Sequence, residues 1–188
     1  DIPIYGAKYT LEIIKLQLQS DGIKHANLIE VRPHYKLTFG KNVIFPIMVT
    51  HSIPDALCYV LYTPAGAIVY TGDFVFDPSA LEHYKMDIGK LAYVGKQGVL
   101  CLMSESLYAN KKGFTSPNHR VTGFIREILN NNPDRIIASI LPAHIFRIQE
   151  IFDEVSKTHR KIVIMGKGLQ ELINMSIEKK YLHINKTK

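Results

Sequence analysis

Two short segments carry the residue types that do chemistry. The first is Val49-Thr50-His51-Ser52-Ile53-Pro54-Asp55. His51 follows an apolar run and precedes a turn fixed by Pro54. An imidazole at a strand end can act as a metal ligand or a base. Its ring then needs an acceptor to orient it, and Asp55 is near enough in sequence to serve. The second segment is Thr71-Gly72-Asp73-Phe74. Gly72 lets the backbone bend after the run Ala67–Tyr70, and Asp73 then projects from a strand end. A carboxylate there supplies two oxygens, enough to hold one metal or bridge two. Both residues also suit plainer duties, His51 as a turn histidine and Asp73 as a turn cap.

A third segment, Met103-Ser104-Glu105-Ser106, places two hydroxyls and a carboxylate at the end of another apolar run. Glu105 there can orient a substrate, position a ligand or simply face solvent. Two junctions further on, Ser139–Arg147 and Gly166-Lys167-Gly168, have the strand-to-helix form that can bind a phosphate through free backbone N–H groups. Pro142 removes one such donor from the first. The second lacks the full phosphate-loop pattern. A metal site normally needs three or four protein ligands. The sequence has no His-x-His pair, no His-Glu-x-x-His and no Cys-x-x-Cys, and its other histidines are scattered.

The elements that must position these residues follow from periodicity. Ala7–Gln19 reads as a helix with Leu11, Ile14 and Leu18 on one face and Gly22 past its end. Strand-like runs follow at Ala26–Val31, Tyr35–Phe39 and Val43–Val49. Ala56–Tyr62 and Ala67–Thr71 flank Thr63-Pro64-Ala65-Gly66, a hairpin signal. Gly98–Met103 is almost wholly apolar and reads as a buried strand. Phe74–Gly95 reads as loop, with a weak strand near Leu91–Val94. Beyond Ser116 the pattern becomes helix (Val121–Leu129, capped from Thr115–Arg120), strand (Arg135–Ile140), helix (Ala143–Ser156), strand (Lys161–Met165) and helix (Gly168–Lys179). Ile145, Ile148, Phe152 and Val155 share one face of the second of these helices. Alternation of this kind predicts a small parallel sheet with covering helices, its two strands too few to stand alone.

The 188 residues comprise 46% hydrophobic and 21% charged side chains, which excludes a disordered chain. Cys58 and Cys101 give no disulfide framework, and no stretch is long and apolar enough to span a membrane. The formal charge of +6 is uneven. Residues 1–110 hold 9 basic and 10 acidic side chains, and residues 111–188 hold 14 and 7. A basic half suits a polyanion such as nucleic acid, or else a solvated face.

Taken together, His51-Ser52-Ile53-Pro54-Asp55, Tyr62-Thr63-Pro64-Ala65-Gly66, Tyr70-Thr71-Gly72-Asp73-Phe74 and Phe76-Asp77 resemble the ribonuclease J family. These are nucleases of the metallo-β-lactamase fold with an inserted β-CASP domain. Ser104-Glu105-Ser106-Leu107-Tyr108-Ala109-Asn110 and Gly113-Phe114-Thr115 extend the resemblance. It implies an α/β chain, with part of an αββα sandwich at residues 1–112 and part of a parallel α/β β-CASP domain at 113–188. It implies that His51 and Asp73 are ligands of a two-zinc centre, and that Glu105, the acidic residue opening the β-CASP motifs, is catalytic; Asp55 keeps the supporting place behind His51 that its position in sequence suggests. Ser104, Ser106, Arg120, His144 and Arg147 would face RNA phosphates. Family members are cytoplasmic bacterial enzymes that cut RNA internally and degrade it from the 5′ end. They work as dimers or tetramers of identical or paralogous subunits.

The departures shape the expectations. The family's His-x-His-x-Asp-His cluster lies upstream of the segment that Asp1–Gly6 resembles, and its Ser-Gly-His segment lies downstream of this chain. The chain is therefore expected to be an internal piece, to bind zinc weakly or not at all, and to be inactive alone. Pro142-Ala143 stands where the family has Ser-Asn, and Leu107-Tyr108 stands where it has Thr-Asn. These changes look like the less active paralogue branch. Three readings follow. One is part of a zinc ribonuclease. Another is a non-catalytic module making RNA or subunit contacts. The third is a generic nucleotide-binding domain using Gly166–Gly168.

Overall fold

Two runs rich in β-branched and aromatic residues, on either side of Pro64-Ala65, form the centre of a sheet. In the computed structural model, which describes residues 2–77, 80, 82–113 and 121–184, they are β5 (Leu57–Thr63) and β6 (Gly66–Tyr70). They pair antiparallel, with Thr63 opposite Gly66 at the turn. The Thr63 hydroxyl donates to Gly66 O and accepts from Ala65 N–H, closing the two-residue loop. Cys58, Val60, Ala67 and Val69 alternate with more exposed neighbours and are buried, the period-2 signature of a strand with one covered face.

The remaining strands complete the first compact unit, Asp1–His51 with Asp55–Asn118. β1 (Ile4–Gly6) and β2 (Leu28–Glu30) pair in parallel, with α1 (Lys8–Ser20) connecting them. Leu11 on α1 is buried and Ile14 and Leu18 are half-buried, as the spacing predicted. A separate five-stranded sheet runs β3 (Leu37–Phe39), β4 (Asn42–Met48), β5, β6, β7 (Cys101–Met103). All its pairings are antiparallel except β6–β7. Pro46 sits inside β4, where proline removes a ladder donor. It is tolerated because β3 pairs only as far as Ile44, leaving that edge of β4 open. The Pro46 carbonyl takes the His34 N–H instead. Ile47, Val49, Cys58, Val60 and Val94 form the heart of this core.

Two expectations for this unit change. Leu91–Val94 belongs to α2 (Ile88–Gln97), not to a weak strand. Asp87 caps this helix by accepting from Lys90 N–H, and Val94 is buried while Ala92 and Tyr93 are exposed. A short apolar run imitates a strand; the cap and one-sided burial make it a helix. The Gly98–Met103 run forms a strand only at Cys101–Met103, and that strand is exposed, with Leu102 63% accessible. It lies at the sheet edge, beside β6 alone.

The second unit, Ser52–Pro54 with His119–Lys188, has three helices in its described part: α3 (Thr122–Asn131), α4 (Ile145–Ser156) and α5 (Lys167–Glu178). Ile145, Ile148, Phe152 and Val155 are all buried along α4, as their spacing required. Between α3 and α4, Glu154 accepts from Arg126 at 2.9 and 3.2 Å, and Glu150 accepts from Thr122 at 2.7 Å.

The strands expected at Arg135–Ile140 and Lys161–Met165 are irregular segments. Ile137 is 96% exposed and Met165 82%. An apolar, β-branched run favours extended backbone, but a strand exists only when a neighbour's N–H and C=O groups pair with it. Arg160 holds the starts of both segments together by donating to the carbonyls of Asn132 and Asp134. The α/β class stands, with the sheet residing in the first unit. The capping residues expected at Thr115–Arg120 lie outside the described residues. Among the described residues no helix is long and apolar enough to cross a membrane.

Candidate functional site

Strand direction determines where the chemistry-bearing loops meet. β5 runs against β4 and β6, and β7 runs with β6. So β4, β6 and β7 all end at the same edge of the sheet. His51 follows β4, Asp73 follows β6 and Glu105 follows β7.

The loop bearing His51 is closed at its base by Val49 N–H donating to Ala56 O at 2.9 Å. Thr50 is 6% exposed, and its hydroxyl donates to Tyr84 O at 2.6 Å. Its carbonyl accepts from Val75 N–H at 2.8 Å. That bond sets the backbone before His51 beside the backbone that follows Asp73. Burial first, with the neighbouring Tyr9 and Asp55, pushes the Tyr84 hydroxyl well above the usual phenol range, so it stays protonated.

Asp55 was expected to support His51. Its carboxylate instead contacts a different imidazole, with Oδ1 2.8 Å from His83 Nδ1. The Asp55 N–H also donates to His83 O at 2.7 Å, and its backbone is left-handed at φ 56°. Aspartate tolerates that conformation better than most residues. No signal in the sequence singles out His83 from the other scattered histidines.

The Asp73 loop is bent by Gly72, at φ 61°, and is held to β7 by Thr71 N–H donating to Met103 O at 3.0 Å. Asp73 itself is exposed. Glu105 clasps this loop to its own. One carboxylate oxygen accepts from Phe74 N–H at 3.4 Å and the other from Leu107 N–H at 3.0 Å. The Glu105 N–H meets Thr71 Oγ1 at 3.4 Å. Ser104 and Ser106 are exposed on either side, with Ser104 donating to Glu105 O.

The other candidates belong to the second unit. His144 precedes α4 and its carbonyl accepts from Arg147 and Ile148 N–H. Arg147 is largely covered, 17% exposed, and its guanidinium is engaged by the buried carboxylate of Glu150. Arg120 lies outside the described residues. At the Gly166–Gly168 junction, Lys167 extends into solvent.

Zinc requires more ligands than these loops bring together. Among the described residues no three His, Cys, Asp or Glu side chains converge as a metal site. His51 and Asp73 alone do not fit a zinc centre, which takes three or four protein ligands.

Comparison with known proteins adds the lineage. A sequence profile of the ribonuclease J β-CASP domain matches residues 133–188. Ribonuclease J2 of Bacillus subtilis (strain 168) is 33% identical over 182 residues, covering 96% of this chain and 33% of that protein. Ribonuclease J 2 of Staphylococcus aureus (strain N315) is 34% identical over 187 residues, covering 99% of this chain and 34% of that protein. The chain thus spans about a third of the length of these curated relatives. A crystal structure of a protein of unknown function from Enterococcus faecalis V583 superposes with a TM-score of 0.70 at 17% identity, over 98% of this chain and 45% of that one, and shares its fold. By sequence, this chain is similar over nearly its whole length to part of these ribonuclease J proteins, which supports its reading as a fragment from the ribonuclease J family.

Proposed function

We propose that the chain forms part of a metal-dependent ribonuclease that hydrolyses RNA phosphodiester bonds, cutting internally and from the 5′ end, in the bacterial cytoplasm. Residues 1–112 are assigned to the metallo-β-lactamase domain and residues 113–188 to the β-CASP domain. The division into compact units near Asn118 supports that assignment. The observation that carries the functional reading is the shared sheet edge, which delivers His51, Asp73 and Glu105 on three parallel-running strands. Sheet-end loops held by a rigid scaffold are where such sites form.

In this reading His51 and Asp73 are two of the zinc ligands. Glu105 fixes the Asp73 loop, and the basic side chains of residues 111–188 hold the RNA backbone. No catalytic step is assigned to a metal on these residues, because the pair does not make a zinc site. Subunit association, as dimer or tetramer, belongs to the same proposal.

The test is RNA cleavage by the full-length protein bearing this chain, with His51→Ala and Asp73→Ala made separately and bound metal measured alongside. Each is expected to lower cleavage at least about a hundredfold and reduce bound zinc. Cleavage unchanged in both variants overturns the reading. A wild-type protein that binds RNA without cutting it transfers the function to the non-catalytic module.

A further inference from the structure

The segment after Glu105 holds a bulky side chain in a costly conformation. Tyr108 has φ 62°, the left-handed region that an aromatic residue rarely occupies. The backbone fixes it there. Leu107 N–H donates to Glu105 Oε2, Ala109 N–H to Ser106 O at 3.0 Å, and Lys111 N–H to Tyr108 O at 2.8 Å. The result is an aromatic ring displayed on a short, internally bonded loop.

That ring faces solvent rather than the core. Tyr108 is 62% exposed, although the Lys111 ammonium lies over its ring at 3.8 Å from the centroid. One face is therefore covered by a cation and the remaining surface is open. Lys112 and Leu107 beside it are also exposed, Leu107 by 74%. The loop emerges from β7 at the same sheet edge as Asp73, and Glu105 bonds it to the Asp73 loop.

An exposed aromatic face flanked by lysines is the arrangement that holds single-stranded nucleic acid. The ring stacks on an unpaired base of any sequence, and the ammonium groups take the phosphates. We infer that Tyr108, with Lys111, forms a stacking platform for an unpaired RNA base beside the candidate active edge. The inference rests on the RNA reading above and adds the element that would grip the strand next to the reacting bond.

The experiment is fluorescence anisotropy of a labelled single-stranded oligoribonucleotide with the full-length protein, over a range of salt. Tyr108→Ala is expected to weaken binding about tenfold, and Tyr108→Phe to stay within about twofold of wild type. An oligonucleotide with abasic positions should bind wild type and Tyr108→Ala alike. Lys111→Ala should weaken binding and flatten the salt dependence by about one phosphate contact. Circular dichroism melting confirms that each variant is folded, and Tyr108→Phe serves if Tyr108→Ala is not, since loss of binding on keeping the ring refutes stacking. Wild-type affinity in Tyr108→Ala, with RNA binding otherwise intact, overturns the platform alone. Absence of RNA binding and cleavage by the wild type instead overturns the functional reading on which it rests.

Discussion

Replacing Glu154 with glutamine should destabilise the second unit at neutral pH and much less in acid. Glu154 is 2% exposed and faces two cations, Arg126 at 2.9 and 3.2 Å and Lys157 at 2.5 Å. Hydrogen bonds from Arg126 first, then from Lys157, hold its carboxyl well down, from an ordinary 4.5 to about 2. The carboxylate thus binds protons more weakly in the folded chain. Its contribution is present above the unfolded value near 4.5 and is lost as pH falls through about 2. At about 1.4 kcal/mol per tenfold change in proton affinity, the depression corresponds to roughly 3 kcal/mol. Both partners are more than half exposed, at 55% and 59%, so solvent screening reduces this to about 1–2 kcal/mol. Urea unfolding at pH 7 should show Glu154→Gln less stable by that amount, and at pH 3 the loss should fall below roughly half. The carboxyl carbon of Glu154, followed by NMR, should titrate far below its unfolded value. A midpoint near 4.5, or an equal cost at both pH values, refutes the reasoning.

Two further outcomes follow from the sheet. A Cβ on Gly66 would lie 3.0 Å from Leu100 Cβ, in a backbone at φ 141° that side chains rarely adopt, so Gly66→Ala should lower the unfolding free energy by more than about 1 kcal/mol in a denaturant titration. Burial pushes the Cys58 thiol up to about 11, whereas Cys101 is exposed. Iodoacetamide at pH 8 should label Cys101 readily and Cys58 only on unfolding, as mass spectrometry of the peptides will report.

The parts of the fold legible in the sequence are those decided by local pattern. The turn at Pro64-Ala65 and the buried face of α4 depend on spacing and turn chemistry within a few residues, and both match. The segments at Arg135–Ile140 and Lys161–Met165 depend on distant partners that no local pattern encodes, and they stay irregular. α2 was obscured by Gly89 and Gly95, which read as loop, while the signal that begins it is the single cap Asp87. The shared sheet edge beneath His51, Asp73 and Glu105 follows from strand direction, which sequence spacing leaves open. The pairing of Asp55 with His83 crosses 28 residues and was invisible for the same reason.

The direction of β5, opposite to that of β4 and β6, has a practical use. β5 ends at the exposed Pro64-Ala65 turn, on the edge of the sheet away from the His51, Asp73 and Glu105 loops. A fluorophore or affinity tag inserted between Pro64 and Ala65 would sit at the far end of two seven- and five-residue strands from the candidate chemistry. Thr63 and Gly66 must stay, because they close the turn. This tip is where the protein can be handled, tethered or watched while the opposite edge is left to its substrate.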